Sequence, residues 1–363
     1  MTKINVLSTA VQRLTLIVFW LGLGSQCTQQ TVDKQGGGPC RLRQMDCHTV
    51  TTGSGTNDSD VTEKAVYRYD AADQLIGKTD QAVYRYDQAD SIVFNTTETY
   101  VYDGAGFLMS KTALSQVKDH STTTANSERV SYTYATGRLA QAVAEQLSES
   151  GLQTKEVSTY TYNAAGVLTQ RLDATTYPVI SPALRDRPAY PGGFTETWTY
   201  QHGQAIEYVK QAAGMSMKPY TFQNGLIQVA SDSVKQRKYT YDKQNRVVRL
   251  DESVASKLTD YQELIYGSVA AIMPEVSLPA FNGFPVVADP HGAPGVATTH
   301  RVYVVSGSGD AYVRLDEQAQ YELTGVGYVQ TAMVTTTVNR TGIRPITYPI
   351  KMTVTYTYNG NCD

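Results

Sequence analysis

The stretch that decides the fold is AVYRYDAADQLIGKTDQ at residues 65–81, which is followed at once by the near copy AVYRYDQADSIVFNTTE. Tyr67 and Tyr69 are two residues apart, so on an extended strand both point to one face while Arg68 points to the other. Asp70 favours a turn through hydrogen bonds to the nearby backbone, and Leu75 then opens a return strand. Each copy therefore predicts a β-hairpin of roughly 16 residues.

Weaker copies of this unit follow along most of the chain. They share two aromatic residues separated by one position, and they begin at Tyr100, Tyr132, Tyr160, Trp198, Tyr220 and Tyr239. The side of the strands that carries the tyrosines should be packed, and the side that carries Arg68 and Thr161 should be wet. The pattern predicts an all-β protein, built as an antiparallel meander of tandem β-hairpins.

The number of predicted strands indicates how the sheet must behave. Eight hairpins give about 16 strands, and the later part of the chain adds about six more. Twisted open sheets rarely exceed roughly ten strands without curling or splitting. We therefore expect a large sheet that is curled or partly closed.

The pattern YxYDxxGxL resembles the YD repeat, also called the RHS repeat, and residues 100–108 and 160–168 carry the resemblance best. The resemblance covers residues 65–255 and implies tandem hairpins that build a long, spiralling antiparallel sheet. In large members of that family the sheet closes into a shell around a toxin domain. In this chain the copies are irregularly spaced, several lack the glycine, and the length is too short for a large shell. We expect the hairpin sheet here and not toxin delivery, since no cytotoxic tail is recognised after the repeats.

Residues 1–26 have the pattern of an export signal, because Lys3 and Arg13 flank the start of an apolar run, LTLIVFWLGL. That run is too short to span a bilayer as a permanent helix. The sequence GSQC that follows resembles a bacterial lipobox, which implies lipidation of Cys27 and a membrane anchor. Cleavage near Ser25, giving a soluble secreted protein, is the alternative.

The expected location is thus the outer membrane, the periplasm or the cell surface, with the lipid on Cys27 as the membrane partner. Residues 27–39 are polar and glycine-rich, as in a flexible tether. The net charge of −3 and the absence of a basic cluster argue against a nucleic-acid partner.

Beyond the tether the chain divides by composition. We predict an N-terminal strand and loop at 40–64, the hairpin-repeat sheet at 65–270, a Pro/Gly-rich connection at 271–300 and C-terminal strands that continue the sheet at 301–363. A second proline-rich stretch at 175–193 interrupts the repeats, because proline is excluded from central strands. We expect it to be a connecting loop, and it is the first place to look for a binding feature.

Three cysteines remain if Cys27 carries lipid. An exported chain can keep a disulfide, and the sequence leaves open three pairings: Cys40 with Cys362, Cys47 with Cys362, and Cys40 with Cys47. Either of the first two would join the first strand to the last.

Catalytic patterns are not recognised in the sequence, and we predict neither an enzyme nor a metal or cofactor. The histidines, His48, His120, His202, His291 and His300, are scattered, and we expect them in turns or solvated loops. The repeated aspartates, such as Asp70 and Asp103, are best explained as strand terminators.

The sequence therefore favours a non-enzymatic cell-envelope lipoprotein that has a structural role or binds a glycan, a peptide or a protein. One alternative is an envelope polysaccharide hydrolase, for which a close Asp/Glu pair in a cleft would be the sign. The other is a small repeat shell that encloses a partner.

Overall fold

The chain folds as one antiparallel sheet of 21 strands in the computed structural model. The structure describes residues 41–51, 59–86, 90–119, 122–148, 151–177, 193–232, 234–267, 281–285, 287–291, 297–306, 308–325, 328–340 and 346–359. The strands are β1 (Arg41–Thr51), β2 (Ser59–Tyr69), β3 (Leu75–Tyr86), β4 (Asp90–Tyr102), β5 (Leu108–Asp119), β6 (Thr122–Ala135), β7 (Arg138–Ser148), β8 (Gly151–Tyr162), β9 (Leu168–Thr176), β10 (Phe194–Gln201), β11 (Gln204–Ala212), β12 (Met215–Met217), β13 (Tyr220–Gln223), β14 (Leu226–Ser231), β15 (Lys235–Tyr241), β16 (Val247–Val254), β17 (Lys257–Tyr266), β18 (Ala297–Val305), β19 (Ala311–Leu323), β20 (Val329–Arg340) and β21 (Ile346–Asn359).

The order of the strands follows the chain and joins its two ends. Consecutive strands pair as a meander, and β1 pairs with both β2 and β21, for example through Cys47 opposite Glu63 and Val354. In the described part of the chain no ladder joins β12 to β13, so the sheet is not closed into a barrel.

This interruption, which we call the seam, lies where β13 runs beside β11 without pairing to it. Pro219 stands between β12 and β13, and proline has no N–H with which to continue a ladder. The Pro219 carbonyl accepts the Ser231 N–H at 2.6 Å instead. Side chains hold the seam together, since the Tyr208 and Tyr220 rings lie 4.8 Å apart and Lys218 Nζ donates to Glu207 Oε1 at 2.6 Å.

The repeat motif has a defined structural role. The second aromatic residue of a motif donates its hydroxyl to the backbone carbonyl of the aliphatic residue that opens a strand in the preceding unit. Tyr102 donates to Leu75 O at 2.8 Å, and Tyr134 donates to Leu108 O at 2.8 Å. The same bond links Tyr69 to Leu42, Tyr162 to Leu139, Tyr241 to Ile227, Tyr266 to Val247, Tyr321 to Ala297 and Tyr358 to Val329.

The turn aspartates end strands by bonding the backbone of the turn, as predicted. Asp70 Oδ1 accepts the N–H groups of Ala72 at 2.9 Å and Gln74 at 2.8 Å, and Asp103 and Asp242 accept two N–H groups each in the same way. The aliphatic residues after the turns form the centre of the packing, since Leu108 and Leu139 are fully buried. The turns that follow β2, β4, β6, β8, β10, β13 and β15 lie at one end of the sheet, which we call the motif end.

The prediction that each copy is a hairpin of roughly 16 residues is wrong. The first copy ends β2, a strand of 11 residues, and β3, a strand of 12 residues, separates the turn after it from the end of the second copy. The second AVYRYD therefore completes β3, where Tyr84 pairs with Val61, and it lies at the end of the sheet opposite Tyr69. The strands are longer than predicted because they continue through the polar residues between the motifs.

For residues 49–62 the sequence predicts a loop or a weak hairpin. Their described part belongs to the antiparallel pair β1 and β2, which agrees with the hairpin. The predicted return strand after Tyr134 is confirmed as β7. Every element assigned in the described chain is a strand, so no helix able to cross a membrane is found among those residues.

Candidate functional site

The candidate site lies on the tyrosine face, the face of the sheet that carries Tyr67, Tyr100 and the other motif aromatics. Next to the aromatic layer, basic and acidic side chains form ion pairs along the same face. Lys111 Nζ lies 2.8 Å from Glu98 Oε1, and Lys210 Nζ lies 3.0 Å from Glu196 Oε1. Lys78 with Asp80 at 2.9 Å and Arg171 with Asp173 at 2.8 Å complete this ion-pair belt.

Two carboxylates of the belt stand side by side. Asp173 and Glu196 are register partners on β9 and β10, and Asp173 is buried. Each is neutralised by its own base, Arg171 or Lys210, at ion-pair distance. Nearby on β8, burial and then the Asp173 charge raise the pKa of Glu156. The tyrosine face is therefore rich in acids, and most of the belt's acids are paired with bases.

Hydrogen bonds lower the pKa of one belt carboxylate, Glu98, whereas the pKa of Glu156 is raised. Burial alone would raise the pKa of Glu98, but hydrogen bonds from Lys111 and Tyr100 outweigh it and lower that pKa. The same carboxylate accepts the Tyr100 hydroxyl at 2.6 Å, and burial and this bond raise the pKa of Tyr100. Glu98 is thereby fixed as an anion inside the belt.

The strap, residues 281–291 with position 286 outside the described residues, crosses the tyrosine face at the motif end. Its backbone bonds the turns of three hairpins: Leu139 N–H donates to Gly283 O at 2.8 Å, Ala288 N–H donates to Gly203 O at 2.9 Å, and Ile227 N–H donates to Pro290 O at 2.8 Å. The last two bonds lie on opposite sides of the seam. The strap thus connects the two sides where the ladder is missing.

Aromatic contacts fix the strap to the motif tyrosines. The Phe281 ring stacks 6.0 Å from Tyr100, and Phe284 lies 5.2 Å from Tyr132. Between them Gly283 has φ +78°, and a Cβ there would come within 2.9 Å of Gly137 O. Only glycine fits at this position, because the backbone conformation and the close approach both exclude a side chain.

A polar cavity of about 340 Å³ opens further from the motif end, on β5 to β8. Its lining includes Ser115, Asn126, Glu128, Gln146 and Gln153. The strand register places Glu128 between Ala113 and Gln146 on the tyrosine face. Most of the cavity lining therefore lies on the same face as the belt, while Ser127 and Leu147 come from the other face.

The predicted site residues are distributed differently from the cavity and the belt. Cys27, Cys40 and Cys362 lie outside the described residues, so lipidation stays a prediction. Cys47 is a free, buried thiol, and burial followed by the charge of Glu63 raises its pKa to about 12. The ladder of β1 and β21 ends at Arg41 opposite Asn359. The three cysteine pairings that the sequence leaves open stay predictions.

The histidines only partly follow the sequence prediction. His202 lies in a turn with φ 51°, as predicted, and the His291 N–H donates to Asp289 Oδ1 at 2.8 Å in another turn. His300 contradicts the expectation of a solvated loop: it is buried on β18, where Nδ1 lies 2.6 Å from Glu317 Oε2 and Nε2 lies 3.2 Å from Gln262 Oε1. His120 lies outside the described residues.

Sequence reasoning missed the ion-pair belt and the contacts of the strap. A signal for the belt was present, since Lys78-x-Asp80 and Arg171-x-Asp173 place opposite charges on one face of a strand. The strap was recognised only as a proline-rich connection. The other proline-rich stretch was the first choice for binding, and residues 178–192 of it lie outside the described residues.

Comparisons with known proteins establish no family for this chain. No protein-family model matches it, and no curated protein matches it in sequence. Among solved structures it is similar to a porin-like protein from Bacteroides uniformis, at 13% identity and a TM-score of 0.34, over 88% of this chain and 96% of that one. A porin-like protein from Bacteroides vulgatus is similar at 12% identity and a TM-score of 0.25, over 88% of this chain and 98% of that one.

A third similar structure is TcdB2-TccC3-TEV, at 9% identity and a TM-score of 0.27, over 78% of this chain and 17% of that chain. At these identities and scores, none of the three carries an argument about function.

Proposed function

We propose that this chain is a non-enzymatic cell-envelope lipoprotein, anchored through Cys27, whose curled sheet is a scaffold that binds a ligand on its tyrosine face. The observation that carries the proposal is that one set of residues on that face packs the sheet and another set lines an open cavity. The motif tyrosines and leucines hold the strands together, while a separate region presents polar side chains in an open cavity.

Two further observations support a binding scaffold. The strap covers the aromatic layer at the motif end through Phe281 and Phe284, whereas the cavity further along is open to a partner. The sequence of residues 1–27 supports export and lipidation.

The runner-up is an envelope polysaccharide hydrolase, and the adjacent carboxylates of Asp173 and Glu196 are the observation in its favour. A hydrolase needs one carboxyl that is protonated and one that is free to act. The ion pairs of both groups with Arg171 and Lys210 favour the scaffold instead.

To test the proposal, the chain is expressed with its leader in a bacterium that processes lipoproteins, and the cells are labelled with an alkyne analogue of palmitate. We expect label and membrane fractionation for the native chain and neither for Cys27→Ala, with Cys47→Ala as the matched control that keeps both. An unlabelled native chain would rule out the lipoprotein. Hydrolysis of purified envelope polysaccharide that is lost in Asp173→Asn would replace the scaffold with the enzyme.

A further inference from the structure

The cavity on β5 to β8 has the lining of a carbohydrate site. Six of its side chains carry hydroxyl, amide or carboxylate groups within one open space: Ser115, Asn126, Ser127, Glu128, Gln146 and Gln153. Amides offer donors and acceptors together, and a hydroxyl offers both from one atom. We propose that this cavity binds an uncharged saccharide, a proposal that rests on the binding-scaffold function and names its ligand class.

The charges of the lining select against other ligands. Glu128 is the charged residue of the lining, and no Lys or Arg contributes to it among the described residues. A phosphate or carboxylate ligand would meet an anion without a compensating cation. A flat apolar ligand would have only Ala113 and Leu147 as apolar contacts. It would also leave the lining amides without hydrogen-bond partners, which costs binding free energy.

Several polar groups in the cavity are available to a ligand. Gln146 Oε1 already accepts the Thr154 hydroxyl at 2.8 Å, which leaves the Gln146 amide N–H groups to donate. Ser115 shares a 3.1 Å hydrogen bond with Thr96, so its hydroxyl keeps an acceptor position. Asn126 makes no side-chain hydrogen bond with the described residues, and it is exposed to the cavity. Together these groups offer both donors and acceptors, as a ring with adjacent hydroxyls requires.

The size of the cavity fits a short saccharide. Its volume of about 340 Å³ is at the lower end of ligand sites, which span roughly 300–1,000 Å³. Tyr132 lies next along the tyrosine face, close enough to Glu128 that the carboxylate contributes to the raised pKa of the phenol, after burial and Tyr160. An aromatic body with a polar tip suits the boundary of a sugar site.

The experiment measures binding of glucose, galactose, N-acetylglucosamine and their β-1,4-linked disaccharides to the full exported chain by titration calorimetry and ligand-observed NMR. We expect at least one of these sugars to bind, and Asn126→Ala and Glu128→Gln each to weaken that binding at least tenfold. Gln116→Ala is the matched control, because Gln116 is the exposed residue next to Ser115 on β5 and points to the other face. It should bind as the native chain does.

Each other outcome counts against the cavity. Sugar binding that is unchanged in Asn126→Ala and Glu128→Gln would place the ligand elsewhere and leave the scaffold function standing. Binding of putrescine, but of none of the sugars, that Glu128→Gln abolishes would make the site a cation site. A chain that carries the palmitate label and binds no sugar would overturn this inference alone, and an unlabelled chain would separately overturn the lipoprotein function.

Discussion

The two copies of AVYRYD have the same six residues and different surroundings. In the first copy Tyr69 lies at the motif end, donates to Leu42 O at 2.7 Å and precedes the turn that Asp70 holds. In the second copy Tyr84, the counterpart of Tyr67, is buried at the opposite end of the sheet, where its ring lies 5.3 Å from Phe94 in an edge-on contact. Its hydroxyl lies close enough to Glu63 to lower the pKa of that carboxyl.

The difference shows that register, rather than the local sequence, assigns a role to each copy. The two copies lie on β2 and β3, the long antiparallel strands of one hairpin, so they run in opposite directions. Both place tyrosine on the same face, because the spacing within the motif is kept. In the first copy Tyr69 lies where Leu42, near the start of β1, presents its carbonyl.

The largest expected effect tests what the copies share. Leu75 and Ile92 each lie ten residues after the alanine that begins a copy, and both are buried, at 3% and 8% exposure. Each change to alanine should lower the free energy of unfolding by about 2–4 kcal/mol, as for other buried aliphatic residues. Urea denaturation measures this, and Leu114→Ala, at a position 45% exposed, is the control that should change little. If Ile92→Ala behaves like the control, the second copy does not contribute to the core.

A smaller effect tests the turn of the first copy. Asp70→Ala removes the acceptor of two backbone N–H groups and should cost about 1–2 kcal/mol of stability. Asp70→Asn should stay close to the native chain, because Asn163 Oδ1 accepts the Val167 N–H in the equivalent turn of β8 and β9. Equal damage by alanine and asparagine in urea denaturation would show that the charge of Asp70 matters and the hydrogen bonds do not.

These positions also show how far sequence reasoning reaches. Tyr67, Asp70 and Leu75 have roles that depend on neighbours within one hairpin, so their spacing predicted the face, the turn and the strand opening. The length of β3 decides at which end of the sheet the second copy lies. The polar residues between the motifs do not reveal that length. The strap contacts join segments that are far apart in the sequence, such as Leu139 with Gly283, and no local pattern encodes that contact. The cavity depends on the register of β5 to β8, which the sequence pattern does not fix.

The smallest effect separates the two copies by their hydroxyl groups. Tyr69→Phe removes a hydrogen bond to a neutral carbonyl and should cost about 1 kcal/mol. Since no carboxylate takes part in that bond, the loss should be the same at pH 4 and at pH 8. Tyr84→Phe removes the hydroxyl that lowers the pKa of Glu63, so its effect on stability should depend on pH. The two variants, compared by urea denaturation at both values, distinguish the roles of the copies.

The sign of that dependence follows from Glu63. Burial and then the Asp80 charge raise the pKa of Glu63 above its unfolded value of 4.5, and the Tyr84 hydroxyl lowers that pKa in part. A carboxyl with a raised pKa in the folded state contributes stability that is present below 4.5 and is lost as the pH rises through the folded value. Without the Tyr84 hydroxyl the folded pKa rises further, so Tyr84→Phe should lose more stability at pH 8 than at pH 4. Glu63→Gln in the same background should abolish this difference, and a difference that persists would mean that Tyr84 acts through another group.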